Sequence, residues 1–135
     1  MQEAERLAAA KGWTVAQDSK GWRRVVASPA PLDVVEARAV DLLVRAGIIA
    51  IACGGGGIPV AADASGARRG VEAVVDKDAA SAVLAARLGA NWLLMLTDEP
   101  CVFDPRRWPN AREPLPSPIP ASAIERLRFP EGSMA

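Results

Sequence analysis

Four consecutive glycines, Gly54, Gly55, Gly56 and Gly57, close an apolar run, and further along a lysine stands between two aspartates as Asp76-Lys77-Asp78. Backbone without side chains takes positive φ readily and lets N–H groups approach a ligand closely, as a phosphate or carboxylate cradle requires. The spacing matches neither GxGxxG nor a P-loop, so a tight turn with no ligand stands as an equal reading. Lysine is scarce, with Lys11, Lys20 and Lys77 set against thirteen arginines. A compact ammonium flanked by carboxylates can meet a phosphoryl group as a point charge, where arginine imposes a planar fork. The plainer alternative is a helix start, with Asp76 or Asp78 as its cap and Lys77 on a solvated first turn. The two readings are compatible.

These groups need elements to hold them. Residues 48–53 are uniformly apolar and lean β-branched, which predicts a strand buried on both faces of a parallel sheet, with the glycines at its carboxyl end. A helix over 33–46 feeds it: Asp33 is the expected N-cap with Glu36 three residues on, Val35, Ala39, Leu42 and Ala46 form one face, Asp41 and Arg45 pair, and Gly47 stops it. Residues 58–62 and 71–75 read as a small hairpin around Ser65-Gly66. A helix over 79–88 follows, with Val83, Leu84 and Leu88 inward and Gly89 at its end; its N-terminus adds partial positive charge beside Lys77 and suits a phosphate. Residues 92–96 read as a second buried strand, ending at Thr97-Asp98. Upstream, 3–11 reads as a helix, 17–21 as a polar link and 22–26 as a strand whose Arg23 and Arg24 favour a structural role. Downstream, 104–120 is a Pro- and Arg-rich excursion pinned by Trp108, and 121–127 is a short helix. A helix leading into a buried strand is half of a βαβ unit, so an α/β domain is expected, with its ligand outside the strands' carboxyl ends.

Composition narrows the chemistry. The 135 residues suffice for one domain with a core, and 50% hydrophobic content argues against disorder. Sixteen basic residues balance sixteen acidic ones, which gives no field favouring nucleic acid or an anionic membrane. No apolar run reaches the ~20 residues of a membrane span, and the first residues lack a signal-peptide core. Cys53 and Cys101 have no metal spacing, which favours reduced thiols and a cytoplasmic location. Histidine is absent. That excludes Ser-His and Cys-His nucleophiles and His-ligated zinc within this chain, and leaves phosphoryl transfer, which rests on positioning and charge neutralisation.

Taken together, GWRRVVASP, CGGGGIPV, GVEAVVDKD, LTD at residues 96–98 and the closing FPEGSM resemble carbamate kinases of the amino-acid kinase family in order and spacing over nearly the whole chain. The resemblance implies a three-layer αβα sandwich with a mainly parallel central sheet, of which residues 1–135 form a part on the nucleotide-binding side and 1–21 the tail of a preceding subdomain. It implies reversible phosphoryl transfer between ATP and carbamate, with carbamoyl phosphate and ADP giving ATP in arginine catabolism. Lys77 then stabilises the transferring group, Asp78 orients lysine, and Gly54, Gly55, Gly56 and Gly57 shape the phosphate and carbamate side. Asp76, Thr97, Asp98, Phe103, Gly132, Ser133 and Met134 line the nucleotide, and Mg²⁺ neutralises phosphate charge. Members are homodimers acting on small molecules, with no nucleic acid or membrane partner.

The sequence departs from the pattern in places. Ala27 stands where the family has proline, and Glu99-Pro100 and Phe103 replace a valine and a tyrosine, so individual adenine contacts differ while an aromatic ring is kept. The family's N-terminal glycine loop and two further lysines are not among these residues, so the resemblance implies a chain truncated at both ends, with little or no turnover alone. The other class of reading is a non-catalytic nucleotide-binding module or a subunit of a split kinase. A Rossmann domain ranks low, because its fingerprint and downstream ribose acid are missing.

Overall fold

The computed structural model describes residues 2–18, 21–107 and 112–129. Gly132, Ser133, Met134 and Trp108 lie outside the described residues. The chain divides into two compact units, Met1–Leu93 and Leu94–Ala135.

The first unit opens with α1 (Gln2–Lys11), ended by Gly12 at φ 65, and a hairpin of β1 (Thr14–Asp18) and β2 (Gly21–Val25) paired antiparallel from Thr14↔Val25 to Asp18↔Gly21. The reading of 17–21 as a link missed β1, whose TVAQD sequence carries too little apolar alternation to signal a strand. Trp13 sits between two cations, with the Lys11 Nζ 4.5 Å and the Arg24 guanidinium 4.8 Å from its ring centroid. Arg24 also pairs with Glu72, the structural role expected for this pair of arginines.

Helix α2 (Ala37–Arg45) is shorter than 33–46. Its N-cap is Glu36, and no side chain closes that end. The Asp33 carboxylate instead accepts from the Val34 amide at 2.8 Å and from Arg87 Nε at 3.0 Å, so a partner 54 residues away takes the oxygen that a cap would have used. The inward residue is Val40, while Leu42 is 61% exposed, which rotates the buried stripe away from the expected face. Asp41 and Arg45 do pair, at 2.7 Å.

Strands β3 (Val60–Ala62) and β4 (Arg68–Gly70) form a second antiparallel pair, tighter than the 58–62 and 71–75 hairpin expected. Asp63 sets the turn: its Oδ1 accepts from the Ser65 amide and hydroxyl and from the Ala67 amide. The chain then runs back to the first hairpin, where Ala27 and Ala73 form a parallel bridge and the Val74 amide donates to the Ala27 carbonyl at 2.9 Å. Helix α3 (Lys77–Leu88) ends on Gly89 in the left-handed region and packs on α2; Val40 of α2 and Ala80 of α3 are the buried apolar residues of the two helices.

The two segments expected as buried strands, 48–53 and 92–96, belong to no sheet among the described residues. A strand exists only through a neighbour's ladder. Here Ile49 is 92%, Ile51 98% and Leu96 94% exposed. Helices and strands are both present, as expected of an α/β chain, and the described sheets are both two-stranded and antiparallel; the expected three-layer sandwich with a mainly parallel sheet is not seen among the described residues.

The second unit contains α4 (Ala121–Ile124), shorter than 121–127, and a loop closed on itself. Phe103 and Pro114 bridge antiparallel, the Asp104 amide donates to the Glu113 carbonyl at 2.7 Å, and the Leu115 amide to the Val102 carbonyl at 2.8 Å. Arg106 grips the buried Asp104 carboxylate through Nε at 2.8 Å and through Nη2 at 2.5 Å. That side-chain hydrogen bonding holds the Asp104 carboxyl down at about 2. The described part of the Pro- and Arg-rich excursion is therefore held by contacts of its own, while Trp108, expected to pin it, lies outside the described residues.

Candidate functional site

The glycine run is a sharp left-handed corner. Cys53 has φ 63, Gly54 φ 46, Gly56 φ 124 and Gly57 φ 86. Such a succession is open chiefly to glycine, and a cysteine within it costs on the order of 1 kcal/mol. The Gly54 amide is spent on the Ala52 carbonyl at 2.8 Å and the Gly56 amide on the Cys53 carbonyl at 2.7 Å. Among the described residues no backbone carbonyl takes the amides of Gly55 and Gly57. Both residues are exposed.

What lies behind the loop matters as much. Gly56 is buried, and a Cβ built on it would fall 1.8 Å from the Val75 carbonyl oxygen and 3.5 Å from the Asp76 carbonyl carbon. The glycine loop thus packs backbone to backbone against the peptide that precedes α3. The structure therefore sets the glycine corner against the backbone that leads into α3, the helix that Lys77 opens.

Helix α3 starts at Lys77 with Asp76 as its N-cap. Asp76 Oδ1 accepts from the Asp78 amide at 3.0 Å and from the Ala79 amide at 2.8 Å. Both of those donors are consumed, so this carboxylate occupies part of the helix end that the sequence offered to a phosphate. Lys77 is the free-standing element: its side chain is 55% exposed, and its Nζ lies 3.4 Å from Asp78 Oδ2, a loose pairing that leaves the ammonium reachable. The exposed backbone of the glycine corner and the reachable ammonium of Lys77 are groups that can meet an anion.

Thr97, Asp98 and Phe103 belong to the second unit. Thr97 Oγ1 accepts from the Glu99 amide at 3.2 Å, the local loop cap that was the alternative to a ligand role. Phe103 keeps its ring half-buried, and the Arg112 guanidinium covers one face at 4.9 Å from the centroid. That face is closed to a base. Arg112 and Glu99, which hold each other at 3.1 Å, were missed from the sequence, where Arg112 reads as one of several arginines in a polar loop. Among the described residues no three Asp, Glu, Cys or His side chains gather to hold a metal ion. No helix among them is long and apolar enough to cross a membrane.

The chain is similar to known proteins over most of its length. It is 44% identical to the carbamate kinase of Haemophilus influenzae and 45% identical to that of Clostridium perfringens, in each case over 98% of this chain. Those alignments cover 42% and 43% of the two enzymes, so the chain spans about two fifths of the length of the curated relatives it matches. Among solved structures, the carbamate kinase of Giardia lamblia bound to AMP-PNP superposes with a TM-score of 0.63 at 39% identity, over 77% of this chain and 32% of that one. The model of the amino acid kinase family matches residues 3–134. By that match and those relatives, the chain belongs to the amino acid kinase family.

Proposed function

We infer that the chain is the nucleotide-side portion of a carbamate kinase, a phosphotransferase exchanging a phosphoryl group between ATP and the carboxyl group of carbamate. Residues 1–135 are then part of one kinase domain, with 1–21 as the tail of a preceding subdomain. The physiological direction we favour is formation of ATP from carbamoyl phosphate and ADP in cytoplasmic arginine catabolism. The observation that supports this reading is the backbone-to-backbone packing of Gly56 on Val75, two residues before the lysine that opens α3. Similarity to a relative described as bound to AMP-PNP supports a nucleotide as the anion.

In the reaction, a carbamate oxygen attacks the γ-phosphorus in line and ADP leaves, with charge spread over the phosphoryl oxygens. The amides of Gly55 and Gly57 donate to phosphate or carbamate oxygens, and Lys77 Nζ meets the charge as it develops. Asp78 tethers Lys77 without neutralising it fully. Asp76 serves by fixing the helix start, a positioning part rather than a ligand contact. Thr97, Asp98 and Phe103 attend the nucleotide in the same reading. Each pre-aimed positive group contributes on the order of 3 kcal/mol to such a transition state. Mg²⁺ would supply charge neutralisation on the phosphates.

A second reading, a nucleotide-binding module or one subunit of a split kinase, is favoured by the near-complete exposure of Ile49, Ile51 and Leu96 in segments of strand composition. Calorimetric titration of ATP with Mg²⁺ into the purified chain, with Lys77→Ala beside it, tests the shared core of both. Binding weakened by about 1 to 3 kcal/mol on substitution supports the site. No binding by a folded chain removes it. Turnover appearing only when a second polypeptide is added would separate a split kinase from a module.

A further inference from the structure

The loop of the second unit holds a chain of contacts that no role above uses. Glu99 donates its amide to Thr97 Oγ1 at 3.2 Å, and its carboxylate accepts from Arg112 Nη2 at 3.1 and 3.3 Å. The guanidinium of that same Arg112 lies over the Phe103 ring at 4.9 Å. Beyond Phe103, the bridge to Pro114 and the Asp104 amide to Glu113 carbonyl bond return the strand to Arg112's own neighbours. One side chain therefore ties the residue next to Thr97-Asp98 to the aromatic ring, with Glu99 and Arg112 thirteen positions apart in the chain.

We propose that Arg112 is a positioning residue for nucleotide binding: a clasp that fixes the Thr97-Asp98 corner and the Phe103 ring relative to each other. The inference rests on the reading that these three residues serve the nucleotide. Arginine suits the task because its planar fork can give a carboxylate two hydrogens while its face lies flat on an aromatic ring. Lysine could do the first and not the second in the same pose. Both partners are half-exposed, so the pairing is modest in itself and its value is the geometry it selects. An unclasped loop samples arrangements that do not bind, and apparent affinity falls by the fraction of time spent in them.

The test titrates ATP and, separately, inorganic tripolyphosphate into the full chain and into Arg112→Ala, Arg112→Lys and Glu99→Gln. Tripolyphosphate has no base or ribose and reads only the glycine and Lys77 side. The expected result is about tenfold weaker ATP binding for Arg112→Ala, partial recovery in Arg112→Lys, and unchanged tripolyphosphate binding. Combining Glu99→Gln with Arg112→Ala should then be no worse than Arg112→Ala alone. ATP affinity that survives Arg112→Ala overturns the clasp and leaves the nucleotide reading standing. Equal losses for both ligands make Arg112 a merely structural residue and also overturn it. An unaltered chain that binds tripolyphosphate but not ATP removes the nucleotide role of the loop itself.

Discussion

Gly56 lies so close to Val75 that a Cβ on the glycine would come within 1.8 Å of the Val75 carbonyl oxygen. No side chain fits there, and the neighbour is backbone that belongs to the approach of α3, so it cannot swing away. The contact holds the glycine-rich corner against the backbone that leads into the helix start at Lys77.

Gly56→Ala should therefore destabilise the chain by on the order of 2 kcal/mol or more, through the clash and through φ 124, a region that L-residues rarely enter. Gly55 has open space for a Cβ and no positive φ. Gly55→Ala should cost much less. Urea denaturation of the two variants checks the difference, and equal midpoints would contradict the packing described.

Asp76→Ala should cost about 1 kcal/mol by removing the acceptor of the Asp78 and Ala79 amides, while Asp76→Asn should be nearly silent. Thermal unfolding of both variants measures this. If Ala and Asn were equally tolerated, the cap would have no energetic weight.

Asp104 supplies a dependence on pH with a definite sign. Its folded value, about 2, lies below the ordinary 3.8, because Arg106 hydrogen-bonds the charged form. Its contribution is thus fully present above pH ~4, neutrality included, and is lost as pH falls through about 2. A carbon-detected NMR titration of the Asp104 carboxyl should give a midpoint near 2 in the chain and near the ordinary value in Arg106→Ala. A common midpoint for both would sink the assignment.

Exposed Ile49, Ile51 and Leu96 should make the chain self-associate, since unpaired apolar strand-forming segments recruit one another. Ile49→Lys with Leu96→Lys should lower the weight-average mass in sedimentation and leave the unfolding midpoint within about 0.5 kcal/mol. A large loss of stability instead would mean that these side chains are buried.

Much of this was legible in the sequence, and the failures have physical causes. The helix expected at 79–88 begins two residues earlier because Asp76, one of the two cap candidates, closes its first turn. The glycine corner could be read because four glycines in a row have few other uses. Its partner could not, since the Gly56 contact with Val75 exists only in three dimensions. Residues 48–53 have the composition of a buried strand, but composition states what a segment would do beside a neighbour, and no described strand lies beside it. Asp33 failed as a cap because Arg87, remote in sequence, competes for the same oxygen. Arg112 gave no signal among thirteen arginines.

The most direct test of the central claim follows backbone amides by NMR while ATP is titrated into the labelled chain. The account predicts that the Gly55, Gly57 and Lys77 amides shift together along one saturation curve, and that Lys77→Ala weakens that curve. Shifts confined to other residues, or a curve that Lys77→Ala leaves unmoved, would contradict a phosphate site at the glycine corner.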